Sequence, residues 1–121
     1  MTRGWVSPDS RTIAYLTPQE IDGASPTTCI VAPIEGGAPI ATFTWPPRVF
    51  AVKWMPDGKG LSFLVTKDNI ANLFTQPLSG GPPRPATRLT EGGIDDYLWS
   101  PDSKRLVLKR TIANVANLWG S

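Results

Sequence analysis

An internal repeat with an offset of 45 residues constrains the fold of this chain more than any other feature. Without a single insertion, the segments at 54–58, 61–64 and 70–74 recur at 99–103, 106–109 and 115–119. In the first pair, Trp-Met-Pro-Asp-Gly corresponds to Trp-Ser-Pro-Asp-Ser. Repeats of about 20 to 50 residues indicate a fold in which similar units stack on one another.

A looser copy of the repeat opens the chain. Val-Ser-Pro-Asp-Ser at 6–10 matches the Pro-Asp segments of the later blocks, and Gly36-Gly37 matches Gly80-Gly81. These landmarks differ in offset, 48 residues against 44, so block one carries four extra residues between them. We place the insertion in the loop at 17–27, because loops accept insertions more cheaply than strands do.

Each block consists of short apolar segments separated by turn residues. Proline presets φ, aspartate bonds the backbone two residues on, and glycine accepts a positive φ. With 13 prolines and 11 glycines spread along 121 residues, no space remains for a helix of three turns. Block two predicts strands at 49–54, 61–66, 71–78 and 86–90. Four short antiparallel strands in a unit of this length form one blade of a β-propeller.

The blocks resemble the TolB-type propeller repeat, a relative of the WD-type repeat, whose hallmark is an aromatic residue followed by Ser-Pro-Asp-Gly-Lys. Residues 99–104 and 54–59 carry this hallmark, with Val6, Ser10, Met55 and Ser103 as departures from it. The resemblance implies an all-β fold of four-stranded antiparallel blades and a binding or scaffolding module without a common chemistry. It divides the single domain at 1–121 into blade 1 at about 1–44, blade 2 at about 48–90 and blade 3 at about 94–121, without its fourth strand.

A wedge of three blades exposes the apolar side faces of its two end blades. We expect copies of the chain to cover these faces head-to-tail, because one end face is shaped for the other. Known propellers contain about four to eight blades, so two copies give a six-bladed ring. A homodimer is therefore favoured, and a homotrimer is the alternative if only two blades per chain count as complete.

Charge and composition argue against several classes of partner. The net charge is only +2 and the 12 Lys and Arg are scattered, so no nucleic acid is expected. No apolar stretch reaches the about 18 residues of a membrane span, and no signal peptide is apparent, which predicts a soluble chain without a membrane partner. Cys29 is the single cysteine, which excludes an intrachain disulfide, and its apolar surroundings predict a buried side chain.

The chain contains no histidine, which excludes Ser-His-Asp and Cys-His catalytic sets and the usual zinc sites. The remaining candidates are Asp95 and Asp96, which are absent from the repeat template and lie where the central channel of a ring would open. Arg3, Arg48 and Lys53 are expected beside them if they point inward. Such a mouth suits a peptide, a small molecule or a calcium ion, which takes carboxylate oxygens. An ordinary solvated turn is favoured over the calcium site, because adjacent strand residues point to opposite faces.

Two functions compete on these observations. The favoured hypothesis is a noncatalytic, self-assembling module that binds its ligand at the channel mouth. The alternative is a weak or promiscuous hydrolase of the lactonase or phosphotriesterase type, which needs an oxygen-ligated metal at that mouth. A third hypothesis is that the chain is a piece excised or engineered from a larger TolB-like sensor protein. The tryptophans 54, 99 and 119 are expected between blades. Trp45 lies in the connection between blocks one and two, where a partly exposed aromatic is able to serve a partner.

Overall fold

The computed structural model of the protein describes residues 4–17, 26–112 and 115–120, with the backbone alone for 111–112 and 115–120. These residues form eleven strands in three antiparallel sheets, here called blades 1, 2 and 3. Blade 1 consists of β1 Gly4–Val6, β2 Thr12–Leu16, β3 Thr27–Pro33 and β4 Ala41–Trp45. Blade 2 consists of β5 Phe50–Trp54, β6 Gly60–Lys67, β7 Ile70–Pro77 and β8 Arg84–Pro85. Blade 3 consists of β9 Ile94–Trp99, β10 Leu106–Ile112 and β11 Val115–Gly120.

The prediction of an all-β chain with antiparallel four-stranded sheets is confirmed. Strands pair in the order of the sequence in blades 1 and 2, and β10 lies between β9 and β11 in blade 3. Arg3, most of the loop at 17–27 and the side chain of Trp119 lie outside the described residues. The four-residue insertion that we placed in this loop therefore stays a prediction.

The fourth strand of blade 2 corrects the sequence prediction. We expected it at 86–90, but β8 is the two-residue strand Arg84–Pro85. Beyond it the Ala86 N–H still donates to the Leu73 carbonyl at 2.7 Å. The Asn72 Oδ1 then accepts hydrogen bonds from the Thr87 hydroxyl (2.8 Å) and the Leu89 N–H (2.7 Å). The segment after β8 thus follows β7 through backbone and side-chain bonds, and strand propensity does not predict the side-chain bonds.

The Pro-Asp turns have the predicted geometry. The carboxylates of Asp9, Asp57 and Asp102 each accept a hydrogen bond of 2.9 to 3.0 Å from the backbone N–H two residues on. In blades 1 and 3 the hydroxyl of the serine two residues earlier, Ser7 or Ser100, also donates to the carboxylate, at 2.5 Å. Met55 has no hydroxyl, so the turn of blade 2 lacks this bond.

Two clusters of buried side chains join the blades. The cluster at joint 1–2 contains the side chains that blades 1 and 2 turn towards each other: Ala14, Cys29, Val31, Phe43, Trp45, Val49, Val52, Leu61 and Phe63. The cluster at joint 2–3 contains Leu64, Leu73, Ile94, Tyr97, Leu106 and Leu108. Cys29 is buried, as predicted, and burial raises the pKa of its thiol to about 12. It is therefore a packing residue, since only a thiolate reacts readily.

Candidate functional site

The predicted site residues Lys53 and Asp96 come together at joint 2–3. The Lys53 ammonium in β5 lies 3.3 Å from the Asp96 carboxylate in β9. It also donates a hydrogen bond of 2.6 Å to the Tyr97 carbonyl and lies 4.9 Å from the centroid of the Tyr97 ring. The side chains of Lys53 and Asp96 are 31% and 58% exposed, so the ion pair contributes little to stability.

Local hydrogen bonds hold Asp96 in its charged form. The Tyr97 N–H donates to its carboxylate at 2.8 Å, and this bond, followed by the contact with Lys53, lowers the pKa of Asp96 below its usual value. Asp96 is thus an anion that already has a cation beside it. A calcium ion at this carboxylate would meet the positive charge of Lys53, which argues against the calcium site considered for the mouth.

Asp95 lines a different surface from Asp96, and β9 carries a bulge at this point. The register between β9 and β10 shifts so that Lys109 pairs with Asp96 and Arg110 with Ile94. With Phe50, Asp95 borders a hollow of about 630 Å³ between the β6–β7 hairpin and the start of β9, and Asp96 is not among its lining residues. The two acidic residues therefore border different surfaces.

The cationic candidates are placed only in part. Arg48 is exposed in the connection between β4 and β5, with a φ of 60°, and Arg3 lies outside the described residues. In the part of the chain that the structure describes, no group of three His, Cys, Asp or Glu side chains is arranged to hold a metal ion. The joining of these arginines with Asp95 and Asp96 at a channel mouth stays a prediction.

A buried polar network beside Lys53 was missed by the sequence reasoning. The Tyr97 hydroxyl donates to the Ala51 carbonyl at 2.6 Å and lies 2.9 Å from the Ser62 hydroxyl, which accepts a hydrogen bond of 3.0 Å from the Trp99 indole. Burial raises the pKa of Tyr97, so the phenol stays neutral. The signal was available, because Tyr97 and Ser62 occupy repeat positions that carry the apolar residues Val52 and Val107 in the other copy.

Trp45 is not available to a partner, contrary to the sequence prediction. It ends β4 with 1% of its surface exposed, stacks on Phe63 at a centroid distance of 4.2 Å, and donates its indole N–H to the Gln76 side chain at 3.0 Å. Trp54 and Trp99 pack at the joints, as predicted. The prolines that follow Trp45 suggested an exposed connection, but its alternation with Phe43 places it on the inner face of β4.

The side face of blade 3 that is turned away from blade 2 exposes apolar residues. Leu98 and Val107 are paired across β9 and β10 and are 64% and 43% exposed. Their neighbours along the strands, Tyr97, Leu106 and Leu108, are buried in joint 2–3. Because side chains alternate along a strand, Leu98 and Val107 lie on the opposite face of the sheet.

Blade 1 has a matching outer face at the other end of the wedge. Trp5 and Ala14 are paired and belong to joint 1–2, so the neighbouring pair of Val6 and Ile13 lies on the outer face. Val6 is 48% exposed, and Tyr15, which alternates with Ala14, shares this face. We call these two surfaces the outer face of blade 1 and the outer face of blade 3.

Comparison with solved structures decides the fold. Over 98% of its length the chain matches TolB from Agrobacterium tumefaciens with a TM-score of 0.76, 21% identity and 42% of that chain covered. The fold is that of TolB-like propeller blades. TolB from Acinetobacter baumannii matches over 92% of this chain and 28% of its own, with a TM-score of 0.70 and 20% identity. The acylaminoacyl peptidase of Pyrococcus horikoshii matches over 83% of this chain and 15% of its own, with a TM-score of 0.59 and 20% identity.

The TolB-like resemblance is thereby confirmed for the fold. The chain spans 42% and 28% of the two TolB chains, which is less than half of either. No family model and no curated protein matches the sequence. In the described residues no helix has the length and apolar character needed to cross a membrane. A TolB-like fold is shared by proteins of different chemistry, so it assigns no reaction to this chain.

Proposed function

We propose that the chain is a noncatalytic TolB-like module that closes into a ring with a second copy of itself and binds a peptide or small molecule at the channel mouth. The observation that carries the proposal is the exposure of Val107 on the outer face of blade 3. Val107 is 43% exposed, whereas Ser62 and Ala14, at the same repeat position, are completely buried against the next blade. This position is used for blade packing wherever a following blade is present.

The outer face of blade 1 has the complementary property. Val6, Ile13 and Tyr15 occupy the repeat positions of Trp54, Leu61 and Phe63, through which blade 2 packs on blade 1. The two outer faces therefore correspond to the two halves of an internal joint. Burying apolar surface is favourable by about 25 cal/mol per Å², and a head-to-tail contact buries both faces at once.

The proposed number of copies rests on the blade number of known propellers. Each internal joint sets the angle between neighbouring blades, and propellers close with about four to eight blades. Two copies of three blades give six, so a homodimer is the arrangement we propose. A homotrimer of two complete blades per chain is the competing outcome.

The proposed ligand site is the edge at which the inner strands β5 and β9 begin. The exposed Phe50 and Asp95 and the hollow of about 630 Å³ lie there. An apolar ring beside a carboxylate suits a peptide or small molecule with apolar and polar parts. The hydrolase alternative has no comparable support, because the Lys53 ammonium beside Asp96 argues against the metal that the reaction requires.

Replacement of Leu98 by glutamate tests the proposal. Leu98→Glu places a charge on the outer face of blade 3, where water accepts it in the monomer and the second copy does not. We expect the variant to remain folded by circular dichroism and to sediment as a monomer at concentrations where the native chain is dimeric. Ser79→Glu, in the exposed turn after β7, adds the same charge away from both outer faces and is the matched control.

The proposal is overturned if Leu98→Glu and Ser79→Glu associate equally, or if the native chain is a monomer at every concentration. A native mass of three chains that Leu98→Glu reduces to one contradicts the dimer and favours the trimer.

A further inference from the structure

We infer that the joint between copies keeps the hydrogen-bond acceptor of the internal joints but lacks the indole donor, because Val6 occupies the repeat position of Trp54 and Trp99. The inference rests on the proposed association of the chain with a second copy. The acceptor is the backbone carbonyl of Leu98, and the missing donor makes the joints between copies the weakest in the ring.

At joint 1–2 a tryptophan indole bonds directly to the backbone of the preceding blade. Trp54 Nε1 donates a hydrogen bond of 2.7 Å to the Trp5 carbonyl oxygen. Ala14, the residue paired with Trp5, has a methyl side chain that offers no polar group between them. The bond ties the end of the inner strand of blade 2 to the inner strand of blade 1.

At joint 2–3 the same connection runs through a hydroxyl. Trp99 Nε1 donates to the Ser62 hydroxyl at 3.0 Å, and this hydroxyl lies 3.3 Å from the Lys53 carbonyl oxygen. Trp99 is the repeat equivalent of Trp54, and Lys53 is the equivalent of Trp5. In both joints the indole is thus directed to the carbonyl at one repeat position, with or without a serine between.

The joint between copies would bring Val6 of one copy next to Leu98 of the other. Leu98 is the equivalent of Lys53 and Trp5, and its strand partner is Val107, which has no hydroxyl. This combination matches joint 1–2, where the indole donates directly to the carbonyl. Val6 carries no donor, and its short side chain leaves the place of the indole unfilled.

The joints within one chain are therefore stronger than the joints between copies. A net hydrogen bond and the apolar surface of an indole are present at each internal joint and missing at the joints between copies. The ring is therefore expected to open and close between copies while the blades of one chain stay together.

Replacement of Val6 by tryptophan tests the inference. Val6 lies half-exposed in the three-residue edge strand β1, so a larger side chain is accommodated in the monomer. We expect Val6→Trp to lower the dissociation constant of the dimer by about 10-fold or more, measured by sedimentation equilibrium. Val6→Phe supplies apolar surface without a donor, and its gain should be clearly smaller.

The outcomes separate the inference from the proposed function. If the native chain and Val6→Trp are both monomeric at every concentration, the proposed self-association is wrong. If the native chain dimerises and Val6→Trp leaves the dissociation constant unchanged or raises it, the association stands and the inference fails. An equal gain in Val6→Phe and Val6→Trp rejects the Leu98 carbonyl as the acceptor of the added indole.

Discussion

Blades 2 and 3 share one template without an insertion, yet they attach to their preceding blades by different chemistry. Joint 1–2 contains stacked aromatic rings, with Phe63 lying 4.2 Å from Trp45 and 5.9 Å from Phe74 between centroids. At joint 2–3 the position of Phe63 is taken by Leu108, and the hydrogen bonds of Tyr97 supply the contact. The repeat thus specifies which positions face a neighbour and leaves the kind of contact open.

Phe63→Ala gives the largest expected effect, because it removes the ring at the centre of the aromatic joint. Phe63 is completely buried, and truncation of a buried phenylalanine costs about 3 to 5 kcal/mol. The free energy of unfolding from urea titration measures it. Leu108→Ala is the matched change at joint 2–3 and should cost about 2 to 5 kcal/mol. A loss below about 1 kcal/mol for Phe63→Ala would show that the stack does not hold the blades.

Tyr97→Phe should have the next largest effect, since it removes one hydroxyl and leaves buried partners behind. Loss of the bonds to the Ala51 carbonyl and the Ser62 hydroxyl should cost about 1 to 3 kcal/mol. A double-mutant cycle with Ser62→Ala measures how far the two hydroxyls depend on each other. Additive losses would mean that the network is not a unit, contrary to our description of joint 2–3.

Met55→Ser should make the turn of blade 2 resemble that of blade 3. In blade 3 the Ser100 hydroxyl donates to the Asp102 carboxylate and accepts from the Arg105 N–H at 3.0 Å. A serine at 55 restores both bonds in blade 2, so we expect a gain of about 0.5 to 1.5 kcal/mol in thermal or urea unfolding. Ser100→Met is the reciprocal variant and should lose a similar amount. A gain in both variants would contradict the hydrogen-bond account.

The smallest expected effect is on the stability of the fold at low pH. The hydroxyls of Ser7 and Ser100, followed by backbone N–H groups, lower the pKa of Asp9 and Asp102. A lowered pKa in the folded state stabilises it above the unfolded value of about 3.9, and this contribution disappears as the pH falls through the folded pKa.

The double variant Asp9→Asn and Asp102→Asn keeps acceptors for the backbone bonds and removes the titration. Its urea midpoint should therefore fall less than that of the native chain between about pH 5 and pH 2. A native chain and a double variant with parallel pH profiles would exclude these two carboxylates as the cause.

The sequence predicts the structural features that all copies of the repeat share, and it misses the contacts that single, non-repeated residues make. The Pro-Asp turns and the inward places of Trp54 and Trp99 follow from local chemistry and spacing. The burial of Trp45 and the bonds of Tyr97 depend on partners 31 to 46 residues away, which no local pattern identifies. For the candidate site, the pairing of Lys53 with Asp96 required the same long-range placement, and the bulge in β9 has no signal in the side chains of Asp95 and Asp96.

The molar mass of the native chain as a function of concentration tests the central claim most directly, since exposed blade faces are the reason for a ring. Light scattering or sedimentation equilibrium should give twice the chain mass of 13.1 kDa at tens of micromolar, falling towards one chain mass on dilution. A well-folded species of 13.1 kDa throughout this range would contradict the account, because both outer faces would then be stable in water.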